Sequence, residues 1–102
     1  MFTIDISATR DVVSWNAIIV GYAQNGHARE ALALFSQMQL VGLIPTSITM
    51  ASALQACADL GFLKQGMCIH AYVLQCGLEF DVFVGNFLVV MYAKCGKAKF
   101  AC

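Results

Sequence analysis

A chain of 102 residues has room for one small domain, close to the commonest domain length. It is 60% hydrophobic and only 12% charged, about half the roughly 25% charged residues usual in globular proteins. Six basic and six acidic residues cancel, which excludes the strong cationic excess that marks many nucleic-acid binders.

Residues 1–11 (MFTIDISATRD) come first. They lack the basic start, long apolar core and cleavage site of a secretory signal, and they are not the Arg- and Ser-rich, acid-poor stretch of a transit peptide. Their helical pattern is poor, which predicts a frayed or irregular segment. Residues 12–26 (VVSWNAIIVGYAQNG) predict a helix that stops at Gly26. A second helix follows in HAREALALFSQMQLVGLIPT, where Ala31, Leu34, Phe35, Met38 and Val41 keep helical spacing with Arg29 and Glu30 off the stripe. Gly42 and then Pro45 end it.

The next stretch copies this plan. SITMASALQACADLG predicts one helix and FLKQGMCIHAYVLQCGLEFD another, with Ile69, Tyr72, Val73 and Cys76 as its packed stripe. Gly66 inside that helix costs about 1 kcal/mol against alanine, which fits a close approach of a neighbouring helix. VFVGNFLVVMYAKCG then predicts a first helix ending near Gly96, and KAKFAC the start of a second. Val82 to Ala93 is the best membrane-span candidate, but it has 12 residues, carries Asn86 and lies between Asp81 and Lys94. A span needs about 20.

These segments share a frame. YAQNG, CADLG and YAKCG place Gly26, Gly61 and Gly96 at successive intervals of 35, as they do Ala23, Ala58 and Ala93. Gly77 and Leu78 likewise stand 35 residues after Gly42 and Leu43. A period of 35 with two helices per unit predicts an all-α fold, an α-solenoid of helix-turn-helix repeats. The units are 12–46, 47–81 and a truncated 82–102, after a degenerate repeat tail in 1–11. About three repeats are needed to bury such faces, so few charges over exposed apolar faces predict marginal stability and a tendency to associate.

Chemistry-bearing residues are sparse. The five cysteines are odd in number and no pair is spaced CxxC, which fits reduced, half-buried thiols. Cys68 and His70 lack further ligands at zinc-type spacing, so no metal and no cofactor is expected. No Ser-His-Asp set, phosphate-cradling glycine loop or paired carboxylates occurs, and the chain is not read as an enzyme. His27 is placed at a turn, His70 on a packing face, and Trp15 and Tyr22 in helix contacts.

DVVSWNAIIVGYAQNGHAREALALFSQM with GLIPT closely resembles a pentatricopeptide repeat. ASALQACADLGFLKQGMCIHAYVLQCGLEFDVFVGN and LVVMYAKCG resemble the long and short variant repeats of its plant-type subfamily. The resemblance runs from about Asp11 to Gly96. The tetratricopeptide family, with its 34-residue period, fits less well, since its Trp-x-x-Leu-Gly pattern is missing.

The resemblance implies a right-handed superhelix holding single-stranded RNA in its concave groove, one nucleotide per repeat. It assigns base reading to the fifth and last residues of each repeat: Asn16 with Thr46, Ala51 with Asp81, and Asn86. Asparagine there implies a pyrimidine, Thr46 does not choose between uracil and cytosine, and Ala51 implies little base choice. The second residues, Val13, Ile48 and Phe83, would sandwich the base. A lysine closing the first helix would meet phosphate; Gln24, Asp59 and Lys94 hold that place, so Lys94 alone agrees.

Plant-type arrays of this kind resemble specificity factors for RNA editing and processing in mitochondria or chloroplasts. Other repeats and editing-complex proteins are then expected partners. The zinc deaminase signature is absent. Two other readings stand beside RNA binding: a protein-interaction helical repeat, and a non-functional truncated remnant. Asn16 and Asn86 also have a plain reading as solvated residues near helix starts, and Val13, Ile48 and Phe83 as packed ones.

Overall fold

Phe62 shows how the chain is cut into helices. Its backbone N–H reaches back to the Cys57 carbonyl at 2.9 Å and that of Gly61 to Ala58 at 3.3 Å. This paired closure requires a left-handed residue, and Gly61 supplies it at φ +70° without a Cβ penalty. The same closure recurs at Gly77, where Leu78 N–H bonds the Val73 carbonyl at 3.0 Å.

The computed structural model describes residues 12–100, with side chains described for 13–96. The expectation for residues 1–11 lies outside them. Within the described residues five helices follow one another: α1 Val12–Gln24, α2 Ala28–Leu40, α3 Ser47–Leu60, α4 Leu63–Cys76 and α5 Val82–Phe100. No helix among them is long and apolar enough to cross a membrane. The fold is an all-α solenoid of helical hairpins.

α3 is the centre, packing against each of the other four helices. Apart from Gln55 and Asp59 its sequence is apolar or small, as a helix with little solvent-facing surface must be. Met50, Ala53, Leu54, Ala56 and Cys57 are fully buried, and so is the hydroxyl-bearing Thr49. Around it stand Trp15 and Ile19 from α1, Phe35 and Met38 from α2, Ile69 and Val73 from α4, and Met91 from α5. The expected α2 and α4 stripes face this core, with Leu34, Val41, Tyr72 and Cys76 partly buried at its margin.

Two sequence expectations meet the structure at glycines. Gly66 is buried, and a Cβ built on it would fall on the thioether of Met91, so α4 and α5 touch there because no side chain intervenes. Gly96 departs from expectation: α5 runs on to Phe100 instead of stopping. One difference from Gly61 is in the next residue. Phe62 follows Gly61 and packs against the core, anchoring the reversal. Lys97 follows Gly96, and the stretch Lys97, Ala98, Lys99 favours helix.

The thiols follow the packing. Cys57 and Cys95 are buried, with the Cys95 Sγ 3.6 Å from the Cys57 carbonyl oxygen, whereas Cys68 is exposed. Burial first, and then the neighbouring Cys95 and Cys68, pushes the Cys57 thiol up to about 12 from 9.0. The folded state thus favours the protonated thiol. That contribution to stability is complete below the unfolded value and is lost as pH rises from 9.0 towards about 12. Chemical denaturation in alkaline buffers is expected to show stability falling over that window, less so in Cys57→Ala after allowance for its lower starting point. Timed alkylation read by mass spectrometry is expected to label Cys68 well before Cys57 and Cys95.

Gly66→Ala gains about 1 kcal/mol of helix propensity and loses about 1–3 kcal/mol by overpacking onto Met91. The expected result is a net loss of stability. Paired with Met91→Ala, it should cost less than the sum of the two single changes, which a urea double-mutant cycle measures.

Candidate nucleic-acid interface

α1, α3 and α5 lie side by side, α1 against α3 and α3 against α5. Side-chain contacts fix their direction. Asn16, in the first turns of α1, bonds Thr46 and Thr49 at the start of α3. Lys94 near the end of α5 meets Asp59 near the end of α3 at 3.7 Å. The three helices therefore run parallel, with their N-terminal turns along one edge and Asp59 and Lys94 along the other.

The residues expected to sandwich a base are at that N-terminal edge and are exposed: Val13 73%, Ile48 49% and Phe83 48%. Other apolar side chains of these helices are exposed as well, Val82, Val89 and Val90 of α5 among them, but among the described residues these three recur at a spacing of 35. Phe83 is braced by Phe87 one turn on, ring centroids 5.7 Å apart at 85°. Asn16, Ala51 and Asn86 each stand three residues after one of them, on the same helix face.

The positions expected to read bases differ in what they can do. Asn86 is exposed and Asn16 is half-buried. The Asn16 amide donates to Thr46 Oγ1 at 3.2 Å and accepts from the Thr49 hydroxyl, so the structure brings Asn16 and Thr46 together. Ala51 is 2% exposed, closed in by the packing of α3, and offers a base neither surface nor polar atom. Thr46 and Asp81 have a second task. Thr46 is the N-cap of α3, accepting from Thr49 N–H at 3.5 Å. Asp81 precedes α5 and accepts from Val84 N–H at 3.1 Å.

Lys94, expected to meet phosphate, is engaged with Asp59, both ends partly exposed. Such a surface pair is worth about 0–1 kcal/mol, so its ammonium remains open to exchange for a stronger anion. On α4, His70 Nδ1 is 2.8 Å from the Tyr92 hydroxyl of α5, a helix contact. Burial pushes the Tyr92 phenol up, so it is protonated near neutrality and can donate there. No group of three or more His, Cys, Asp or Glu that could hold a metal occurs among the described residues.

Thr49 was missed in the sequence. It stands third in its repeat, within a run of buried small residues, and nothing in its local spacing announces a contact 33 residues away. The one available signal was a hydroxyl placed among apolar residues, since buried hydroxyls seek partners.

Residues 10–59 match the model of the PPR repeat family. A chloroplastic pentatricopeptide repeat-containing protein of Arabidopsis thaliana is 50% identical over 90 residues, covering 86% of this chain and 14% of its own length. A mitochondrial one from the same plant is 41% identical over 97 residues, covering 93% and 14%. A third pentatricopeptide repeat-containing protein of A. thaliana is 45% identical over 84 residues, covering 82% and 12%. The chain thus spans about one-seventh of the length of these relatives.

Removing a cap at this edge has a defined cost. Thr46→Ala and Asp81→Ala are each expected to lower stability by about 0.5–2 kcal/mol, and Asp81→Asn to be nearly neutral, because asparagine caps as well as aspartate. Urea unfolding followed by helix circular dichroism measures all three.

Proposed function

Because the chain belongs to the pentatricopeptide repeat family, we propose that it contacts single-stranded RNA along the N-terminal edge of α1, α3 and α5. The observation that carries this reading is the exposure of Val13, Ile48 and Phe83 at one repeat-spaced position, two of them a turn away from an asparagine amide. An apolar face beside an amide is what an unstacked base needs. The side chains cover its ring while the amide meets its donor and acceptor groups.

The units on this reading are 12–46, 47–81 and 82–102. The first and third present Asn16 and Asn86 and take a pyrimidine each. The middle one, with Ala51 buried, spaces them. Asp81 stands at the boundary as cap and as second base contact, and Lys94 exchanges Asp59 for a backbone phosphate. The chain contributes recognition and no catalysis. Its relatives bear chloroplastic and mitochondrial names, which supports a place in an organelle and a specificity role in RNA processing or editing there.

The energetics call for weak binding. Base stacking on a protein surface is worth about 1–3 kcal/mol per base, so one or two bases give millimolar to high-micromolar affinity. Fluorescence anisotropy with short oligouridine, oligocytidine and oligoadenosine across a salt series is expected to show pyrimidines preferred. Asn16→Ala with Asn86→Ala should abolish that preference while leaving the helical spectrum unchanged. Indifference of the folded wild-type chain to base identity would overturn the reading in favour of a protein partner in the groove.

A further inference from the structure

The place that closes the first helix of each unit holds Gln24, Asp59 and Lys94, one repeat of 35 residues apart. Across neighbouring helices Lys94 Nζ and Asp59 Oδ1 are 3.7 Å apart, with the side chains 58% and 38% exposed. Gln24 is exposed and uncharged. Asp59 lies in the last turn of α3, Ser47–Leu60. An anion there opposes the helix dipole, so the stability of α3 by itself does not call for a carboxylate at that place.

The middle unit is unlike its neighbours at both edges. At the N-terminal edge Ala51 is buried and offers a base nothing. At the other edge Asp59 sets a negative charge beside the ammonium that a phosphate would approach. Such a phosphate must displace the carboxylate and then lie close to it. Repulsion between the two anions cancels part of the attraction to Lys94.

We propose that Asp59 is an affinity-setting residue: it is the internal counter-ion of Lys94 and holds down binding of single-stranded RNA by the same factor whatever the base. The proposal rests on the RNA reading above and deepens it. A lysine that meets phosphate releases a cation condensed on the strand, which strengthens binding and makes it sensitive to salt. When Asp59 is displaced it attracts a cation in turn, so the net release is smaller. The carboxylate is at the edge opposite Asn16 and Asn86, and a phosphate carries no sequence information. Asp59 therefore changes the strength of binding and leaves base preference alone.

The test measures binding of oligouridine, oligocytidine and oligoadenosine across a salt series to the wild-type chain, Asp59→Asn, Lys94→Met and the double variant, each with its helical spectrum checked. Asp59→Asn is expected to tighten binding of all three oligomers about two- to fivefold at low salt, the range open to an exposed ion pair. The slope of log affinity against log salt should steepen by up to about 0.7, the value for one phosphate contact on a single strand. In the Lys94→Met background the gain should vanish. Glu30→Gln makes the same charge change on α2, where the carboxylate meets His27 at 4.0 Å, and should alter affinity much less. Unchanged binding in folded Asp59→Asn, a gain that persists without Lys94, or an equal gain from Glu30→Gln overturns the proposal. None of these three results touches a pyrimidine preference of the wild-type chain, so the RNA reading then stands. A wild-type chain that treats the three oligomers alike overturns both.

Discussion

Everything at the interface depends on the burial of α3. One helix is shared by four neighbours, and it fits because Ala51, Ser52, Ala53, Ala56, Cys57 and Ala58 keep its girth small. Small side chains bring backbones close, while Met50 and Leu54 fill the gaps between the facing helices. A helix packed against four neighbours cannot rotate or slide without opening voids on several faces at once. The starts of α1, α3 and α5 therefore hold a common line. Val13, Ile48 and Phe83 are separated by whole repeats in sequence, yet they come to one edge because α3 fixes where its neighbours lie.

On the proposed reading, residues at that edge would serve structure and recognition with the same atoms. Thr46 ends a loop, caps α3 and anchors the Asn16 amide; Asp81 ends the next loop and caps α5. A cap needs a side-chain acceptor beside an exposed helix start, and a base-contacting residue needs a polar group at the same edge. The two demands coincide in position but compete for lone pairs. Thr46, with a single oxygen, is exhausted by the structural demand. A carboxylate such as Asp81 has about four acceptor sites, so one N–H bond leaves most of its capacity open. The identity of a capping residue thereby decides how much of it is left over for a ligand.

Much of the architecture was legible because it obeys short rules. The glycine period and the apolar stripes of α2 and α4 are local, and each carried directly into helices, turns and core. Gly66 was legible for a different reason: a helix interior tolerates glycine poorly, so its presence points to a neighbour, which is Met91. Gly96 misled because Lys97 gives no apolar anchor of the kind that Phe62 gives Gly61 and the residues after it favour helix; a polar successor does not decide the matter alone, since Gly26 reverses the chain before His27. The pairing of Lys94 with Asp59 and the Thr49 bond to Asn16 link residues more than 30 positions apart. Asp59 and Lys94 are one repeat of 35 apart and so stand at equivalent places on neighbouring helices, but the 33-residue separation of Asn16 and Thr49 follows no such rule, and that contact exists only once α3 is packed beside α1. Ala51 illustrates the same limit. Its place in the repeat matches that of Asn16 and Asn86, but its exposure is set by the helices around it.

If the chain reads RNA as proposed, a weak contact per base makes this rigidity matter. If a repeat supplies about 1–3 kcal/mol, an array gains usable affinity only when successive helix starts present their groups in phase with the nucleotide spacing. A slip of one residue along an α-helix turns a side chain by about 100°, enough to take Asn16 or Asn86 off the face that holds Val13 or Phe83. The order imposed by α3 is thus a condition for adding repeats together, since energy spent re-aligning each helix on binding would consume what a single base returns. The low charge points the same way. With six cations against six anions, and Lys94 already partnered, long-range attraction to phosphate contributes little that is independent of sequence. What remains is short-range fit at the helix starts, and short-range fit rewards a scaffold that does not move.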